Sequence, residues 1–524
     1  MTKFEFICVA PMIMLAALGI IVLLIGTITD RFPKGRLNHW FPPEYFSATM
    51  MVPVIIMAGA ALWFSIYRGT AELFCLNGTT NPLIMVDPFA AFMGLIAIVG
   101  TFVVMLMSWE YFGDHNTKHR GEYFALLFFA TTAILLVTAS TDLIMIYLSL
   151  EFLSLSSYVL ASYWKNDPKS SEAGLKYLIF GATSSAVMLY GMSMLYGLTN
   201  STNLGTIAST LSRGEVMSLP GALTAVIMVL VGLGFKLALV PFHLWAPDVY
   251  EGAPTPITAW LSVASKAAGL AVVTRFLLVA VPVSSGVDWY TIVLILAGAS
   301  MTLGNLAAIP QKNIKRMLAY SSIAQVGYML IGLLAAAATI SPNSPDSAVK
   351  MGYMAVSNQN IGTTNYGLAG LMIYAASYLV MNLGVFAVVI GIEKRTGNSE
   401  IESFAGMVKR APFFAWSLVL FLLSLAGIPP TAGFLGKAYV FAGAIQSART
   451  DLLVLAIIAI ANSVVSIYYY FNVVRVVFMK DAETKTQLRP SVSLTVAVSL
   501  MLIFTFGIFV AAGPLIQLVR AAIL

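Results

Sequence analysis

Residues 232–245 read GLGFKLALVPFHLW, and residues 424–440 read SLAGIPPTAGFLGKAYV. Each is an apolar run that holds one lysine, Lys236 or Lys437, beside a helix-breaking segment containing Pro241 or Gly427, Pro429 and Pro430. Proline removes a backbone donor and disrupts the preceding turn of a helix. In lipid, unpaired backbone is tolerated only where protein buries it or a watery cavity reaches it. The two stretches therefore predict two discontinuous membrane helices, each with a lysine near its break. Interrupted segments at matching positions in the two halves of a chain point to inverted repeats.

The composition puts these stretches in a membrane. The chain has 524 residues, of which 59% are hydrophobic and 10% charged, where a soluble domain carries about 25% charged residues. Hydropathy predicts about fourteen spans of bilayer length, at 6–28, 47–67, 89–108, 122–140, 142–163, 173–198, 221–250, 255–281, 287–309, 317–338, 366–392, 412–447, 451–478 and 492–515. No small-residue cleavage site follows the first, so it is expected to be a retained helix and not a signal peptide. The expected fold is an all-α polytopic membrane protein forming one transmembrane domain over 1–524. Two inverted five-helix repeats are expected, helices 4–8 at 122–281 and helices 9–13 at 287–478, with helices 7 and 12 broken. The regions 6–108 and 492–515 would flank them.

Loop charge gives the orientation. Odd-numbered loops hold Arg31, Lys34 and Arg36; Lys118 and Arg120; Lys165 and Lys169; Lys312, Lys315 and Arg316; Lys394, Arg395, Lys409 and Arg410; and Lys480, Lys485 and Arg489. Even-numbered loops hold at most one basic residue each: Arg68, Arg213, Lys350 and Arg449. The seventh loop carries none. By the positive-inside rule the odd loops are cytoplasmic and both termini face outward. The net charge of +6 thus reports topology, and nucleic acid is not expected as a partner.

Other chemistries lack their residues. Cys8 and Cys75 make no CxxC pair, and the four histidines make no HExxH or other ligand spacing. No GxGxxG follows a strand and no GxxxxGK[ST] occurs. The chain is expected to bind no haem, cluster, nucleotide or metal of its own. Any redox chemistry that drives it would lie in another subunit.

Four ionisable residues fall in the middle of predicted spans: Glu151, Lys236, Lys266 and Lys437. A charge at the bilayer centre costs at least about 2.5–3.5 kcal/mol, so these groups must face protein, pair, or lose charge. Buried Lys–Glu pairs can simply hold helices together, and a lysine near a helix end can snorkel. One carboxylate cannot pair with three lysines, however. Desolvation favours a neutral lysine and a nearby carboxylate favours a charged one. A lysine held between those two pulls changes its protonation readily, as a proton carrier must.

Several neighbours are less decided. His243, two residues after Pro241, is either a hydrogen-bonded core residue or a relay beside Lys236. Lys176, near the start of the sixth span, either snorkels or marks a proton entrance. Pairing the two repeats sets Gln325 in the tenth span against Glu151 in the fifth. Asp142 and Glu122 suit helix N-termini. Arg275, near a span end, is expected to snorkel.

Longer stretches carry a resemblance. Residues 232–266, GLGFKLALVPFHLWAPDVYEGAPTPITAWLSVASK, 311–330, QKNIKRMLAYSSIAQVGYML, and 424–440 resemble the antiporter-like subunits of the proton-pumping NADH:quinone oxidoreductase, respiratory complex I. The same family includes subunits of multi-subunit cation/proton antiporters. The likeness runs from GEYFALLFFATTAILLVTASTDLIMIYLSLEFLSLSSYVLASY at 121–163 to the last spans. SSEAGLKY at 170–177 and PFHLWAPDVYEGAPTP at 241–256 are closest to the pattern of subunit N, called subunit 2 in mitochondria and chloroplasts. Lys437 stands where subunit M usually has glutamate, and there is no room after Leu524 for the lateral helix of subunit L.

The resemblance implies a subunit of a proton translocase in a bacterial inner membrane, beside other membrane-arm subunits of complex I. No redox centre is implied here; NAD, FMN, iron–sulfur clusters and quinone are implied in partner subunits. Glu151, Lys236, Lys266 and Lys437 match the family's proton-translocating residues of spans five, seven, eight and twelve, and Lys176 matches the subunit-N lysine of span six. Gln325 departs from the histidine found in many relatives. Glutamine does not titrate, so a relay there would need water. Two other readings are a stand-alone Mrp-type cation/proton antiporter and a non-pumping scaffold subunit.

Overall fold

Apolar stretches this long leave the backbone no partner in lipid except itself, and helices follow. The computed structural model describes residues 3–31, 43–68, 71–75, 82–112, 119–212, 221–281, 287–339, 366–481 and 491–523. In chain order these form α1 (Lys3–Arg31), α2 (Pro43–Arg68), β1 (Ala71–Cys75), β2 (Pro82–Val86), α3 (Pro88–Phe112), α4 (Arg120–Ala139), α5 (Leu143–Ala161), α6 (Pro168–Thr199), α7 (Leu204–Leu211), α8 (Gly221–Leu237), α9 (Trp245–Gly252) and α10 (Thr255–Arg275). There follow α11 (Trp289–Ala308), α12 (Ile314–Thr339), α13 (Tyr366–Thr396), α14 (Met407–Arg410), α15 (Pro412–Ala426), α16 (Ala432–Gln446), α17 (Thr450–Met479), α18 (Val492–Val510) and α19 (Ala512–Ala521). Among the described residues, twelve helices are long and apolar enough to cross a bilayer. The shorter α8 and α15 are apolar too, and they stop where the sequence predicts breaks.

Local signals set the helix starts. Asp142 caps α5, its carboxylate accepting from Ile144 N at 2.9 Å and Met145 N at 3.4 Å. Asp167 caps α6 through Lys169 N at 3.0 Å, with Pro168 in the first turn. Such caps satisfy donors that the first turn leaves open.

α10, α12 and α13 are buried along nearly all their length. They are apolar or small on every face, the pattern of a helix surrounded by others. Short polar ties cross this centre: Asn382 Nδ2 donates to Ser262 Oγ at 2.6 Å, and Trp260 Nε1 to Thr101 Oγ1 at 2.9 Å. The peripheral α17 instead exposes Ile457, Ile460, Val464 and Tyr468. An apolar outward face suits lipid.

The connections gather at two ends. At one end Asp30 accepts from His119 N, Lys394 pairs with Glu110, Asn313 bridges Glu400, Lys409 meets Asp481 and Lys480 meets Glu402. The uncharged seventh loop lies here too, since Lys315 Nζ donates to Ala253 O at 3.1 Å. The other end holds the hairpin β1–β2, the bridges Ile84–Ser140 and Asp142–Asn203, and the Arg449–Asp451 pair. Among the described residues, the odd-numbered loops meet odd-numbered loops and the even-numbered meet even-numbered. Lys34, Arg36, Lys118, Arg213, Lys350, Lys485 and Arg489 lie outside the described residues.

Arg275 corrects the sequence reading. It does not snorkel: its side chain is 1% exposed and its Nη2 donates to both oxygens of Asp87, at 3.0 and 2.9 Å. Asp87 also accepts from Ala90 N at the start of α3. The partner sits 188 residues away in sequence, held in place by the hairpin that precedes it.

Candidate functional site

The first break begins directly after Lys236. Ala238 takes φ +58°, which ends α8, and Pro241 brings no N–H to resume it. The Phe235 carbonyl accepts from Ala238 N at 3.0 Å and from Trp245 Nε1 at 3.1 Å, and Val240 N donates to Ser300 Oγ at 3.0 Å. The opened backbone is thus satisfied within the protein.

The second break is a Schellman turn. Gly427, at φ +87°, donates to Ser424 O at 3.0 Å, and Ile428 N to Leu423 O at 3.0 Å. This leaves the carbonyls of Leu425 and Ala426 free. Lys437 Nζ takes both, at 3.3 and 3.0 Å, and Ser463 Oγ at 3.3 Å. Its ammonium also lies 4.7 Å from the centre of the Tyr328 ring, a cation–π contact. Gly433 must be glycine for this packing, because a Cβ there would fall 1.9 Å from Ser424 O.

Lys266 occupies the middle of α10 and is buried. Its Nζ donates to Ser322 O at 2.9 Å and to Ser322 Oγ. Lys236 is equally buried, with Ser154 Oγ 3.4 Å from its Nζ. A Cβ on Gly269, one turn beyond Lys266, would meet Lys236 Cγ at 3.6 Å, so the two lysines occupy adjoining helix faces. Lys236, Lys266 and Lys437 are held by neutral oxygens, with no carboxylate in direct contact among the described residues, whereas buried Lys315 lies 3.5 Å from Glu393.

Glu151 is half-buried on α5, one turn before Ser154, and accepts from Ser185 Oγ on α6. It forms no direct ion pair with Lys236. Gln325 meets Lys437 indirectly, since Gln325 Nε2 donates at 3.1 Å to the Leu425 carbonyl that Lys437 also uses. His243 stands apart, its Nδ1 buried without a partner among the described residues.

Lys176 belongs to an ion-pair network at the basic end. Its Nζ lies 2.7 Å from both Asp248 Oδ2 and Glu172 Oε1. Arg316 joins Asp248, at 2.6 Å, to Glu251, at 3.3 Å, and Lys169 reaches Glu251 at 3.5 Å. Sequence reasoning missed Asp248, Glu251 and Arg316, although the first two lie in the PDVYEG stretch directly after the first break. It also missed Tyr374 and Tyr470, whose hydroxyls meet Gln325 from α13 and α17 and share no local pattern.

Fold and site together define a polytopic helical membrane protein with two interrupted helices and a row of buried lysines beside them, the antiporter-like class. Residues 140–342 and 346–466 match the family NADH:quinone oxidoreductase/Mrp antiporter, TM. The chain is 38% identical over 529 residues to the NADH-quinone oxidoreductase subunit N of Desulfitobacterium hafniense, covering 100% of this chain and 99% of that one. A chain of respiratory complex I from Thermus thermophilus superposes with a TM-score of 0.73 at 28% identity, over 98% of this chain and 99% of that chain. A chain of the Mrp complex from Dietzia shares the fold, with a TM-score of 0.81 at 17% identity, over 100% of this chain and 97% of its own. The chain belongs to the NADH:quinone oxidoreductase/Mrp antiporter family and, within it, to the subunit N group.

Proposed function

We propose that this chain is a proton-translocating membrane-arm subunit of an NADH:quinone oxidoreductase. Protons move through it while electrons pass from NADH to quinone in partner subunits that hold the flavin and iron–sulfur clusters. The carrying observation is the row of three buried lysines held by neutral oxygens, two of them beside helix breaks. Full-length likeness to subunit N supplies the driving reaction.

The chain crosses the membrane fourteen times when each broken helix counts as one span, and the two breaks mark two inverted repeats within one transmembrane domain. The basic end faces the cytoplasm. Protons arrive near the Lys176 network and load Lys236. Glu151 tunes Lys236: its charge, when near, holds the proton on the lysine, and its withdrawal releases it. Lys266 passes the proton along the centre and Lys437 releases it outward. His243 and hydroxyls carry it over gaps with water.

The test is Lys236→Met in the reconstituted complex, with proton translocation measured per NADH oxidised. Assembly should persist and translocation should be lost; a normal proton-to-electron ratio defeats the proposal. Sodium/proton exchange without NADH would assign the chain to the antiporter branch of its family instead. Undiminished pumping with both Glu151→Ala and Lys437→Ala would make it a scaffold.

A further inference from the structure

Among the described residues, no acid or histidine hydrogen-bonds to Lys266, to Lys437 or to the side chains that link them. What links them is a cluster of buried hydroxyl and amide side chains with Gln325 at its centre. Tyr374 OH donates to Gln325 Oε1. Gln325 Nε2 donates to Leu425 O at 3.1 Å and lies 3.4 Å from Tyr470 OH. Tyr470 OH is 2.6 Å from Ser321 Oγ. Ser321 is the chain neighbour of Ser322, whose hydroxyl holds Lys266. On the far side, the Leu425 carbonyl that takes the glutamine amide also takes Lys437. Gln325 therefore binds α12, α13, α17 and the broken end of α15 at one point.

We infer that Tyr470, with Ser321, carries protons between Lys266 and Lys437, and that Gln325 is the positioning residue that aims its phenol. The inference rests on the proton-translocating reading above. An amide carries no exchangeable proton at accessible energy, but its two ends are a fixed donor and a fixed acceptor. With Nε2 directed at Tyr470 OH, the phenol oxygen accepts there and keeps its own hydrogen for Ser321 or for water. With Oε1 taken by Tyr374, the amide cannot turn over without losing that bond. A buried hydroxyl set this way relays without ionising: one proton arrives at the oxygen as another leaves it. The ammonium of Lys266 ends as an amine and the amine of Lys437 as an ammonium, so charge balances across the pair. Water crosses the two remaining gaps, between the adjacent hydroxyls of Ser322 and Ser321 and between Tyr470 and Lys437. A small cavity beside Lys266, lined also by Tyr378, gives water a further place on the Lys266 side.

The experiment compares Tyr470→Phe, Gln325→Leu and Gln325→His with Lys437→Met in the reconstituted complex. NADH oxidation, protons moved per NADH, their pH profile and the solvent deuterium effect are measured. Tyr470→Phe keeps the ring and loses only the hydroxyl, so folding is preserved, and proton yield should fall several-fold. Gln325→Leu should fall likewise. Gln325→His should restore most of the yield and add an inflection near neutral pH, because the imidazole titrates there. Tyr123→Phe, which removes a bond to Ser108 away from the path, should change the yield little. A wild-type proton yield and deuterium effect in both Tyr470→Phe and Gln325→Leu, with Lys437→Met defective, overturns the inference and leaves the proposed function standing. Normal pumping by Lys437→Met and Lys236→Met removes the proposed function itself.

Discussion

Arg275 shows what a single residue's place in a helix fails to reveal. A cation near the end of a predicted span reads as a snorkelling side chain, and only the long-range approach of Asp87 makes it a buried ion. Breaking such a pair by removing one partner costs about 3–5 kcal/mol, whereas replacing both by apolar groups of similar size is often neutral. Asp87→Ala should therefore lower the thermal unfolding temperature of the solubilised protein markedly and reduce its level in membranes. Arg275→Met combined with Asp87→Leu should recover most of that loss. Equal stability of the single and double variants would show that the pair is not the source. The lysines contrast with this arginine. Their number against one mid-span acid was legible from residue types alone; their partners were not, because Ser154, Ser322, Ser463 and the carbonyls of Leu425 and Ala426 belong to other elements or to a turn.

Both helix breaks were legible as elements, since proline and glycine announce them locally. The hairpin Ala71–Cys75 with Pro82–Val86 was not: ten residues of ordinary apolar character between two spans gain their pairing only against each other and Ser140. Nor did the sequence reading foresee that the second break leaves two carbonyls for Lys437. Gly427 couples that turn to the lysine. Its φ of +87° disfavours any side chain, and a Cβ there would lie 2.8 Å from Lys437 Cδ. Gly397 has φ +76° with nothing within 4 Å of a Cβ position, so it offers the same backbone strain without the lysine. Alanine at either position should cost about 1–2 kcal/mol through its left-handed backbone. Only Gly427→Ala should also lower the protons moved per NADH, by displacing Lys437. Equal proton yields in the two variants would dissociate the turn from transport.

At the scale of the molecule, charge and contact point to one orientation. Lysine and arginine are concentrated in alternate loops, and those loops are the ones joined to one another at a single end, from Asp30 and His119 through Glu110 and Lys394 to Lys480 and Glu402. The seventh loop, silent by charge, is placed at that end by the Lys315 contact to Ala253. On the proposed orientation, with the short basic loops cytoplasmic, the Lys176–Asp248–Arg316 network would lie on the proton-uptake side and Arg449 on the outer side. Exposed Lys165 and exposed Asn200 report the two ends. In intact cells, a membrane-impermeant maleimide should label Asn200→Cys and spare Lys165→Cys; in inside-out vesicles the pattern should reverse. Labelling of Lys165→Cys in intact cells would invert the molecule. Lys176 would then stand at the outlet, and the order Lys236, Lys266, Lys437 would run against the direction of pumping.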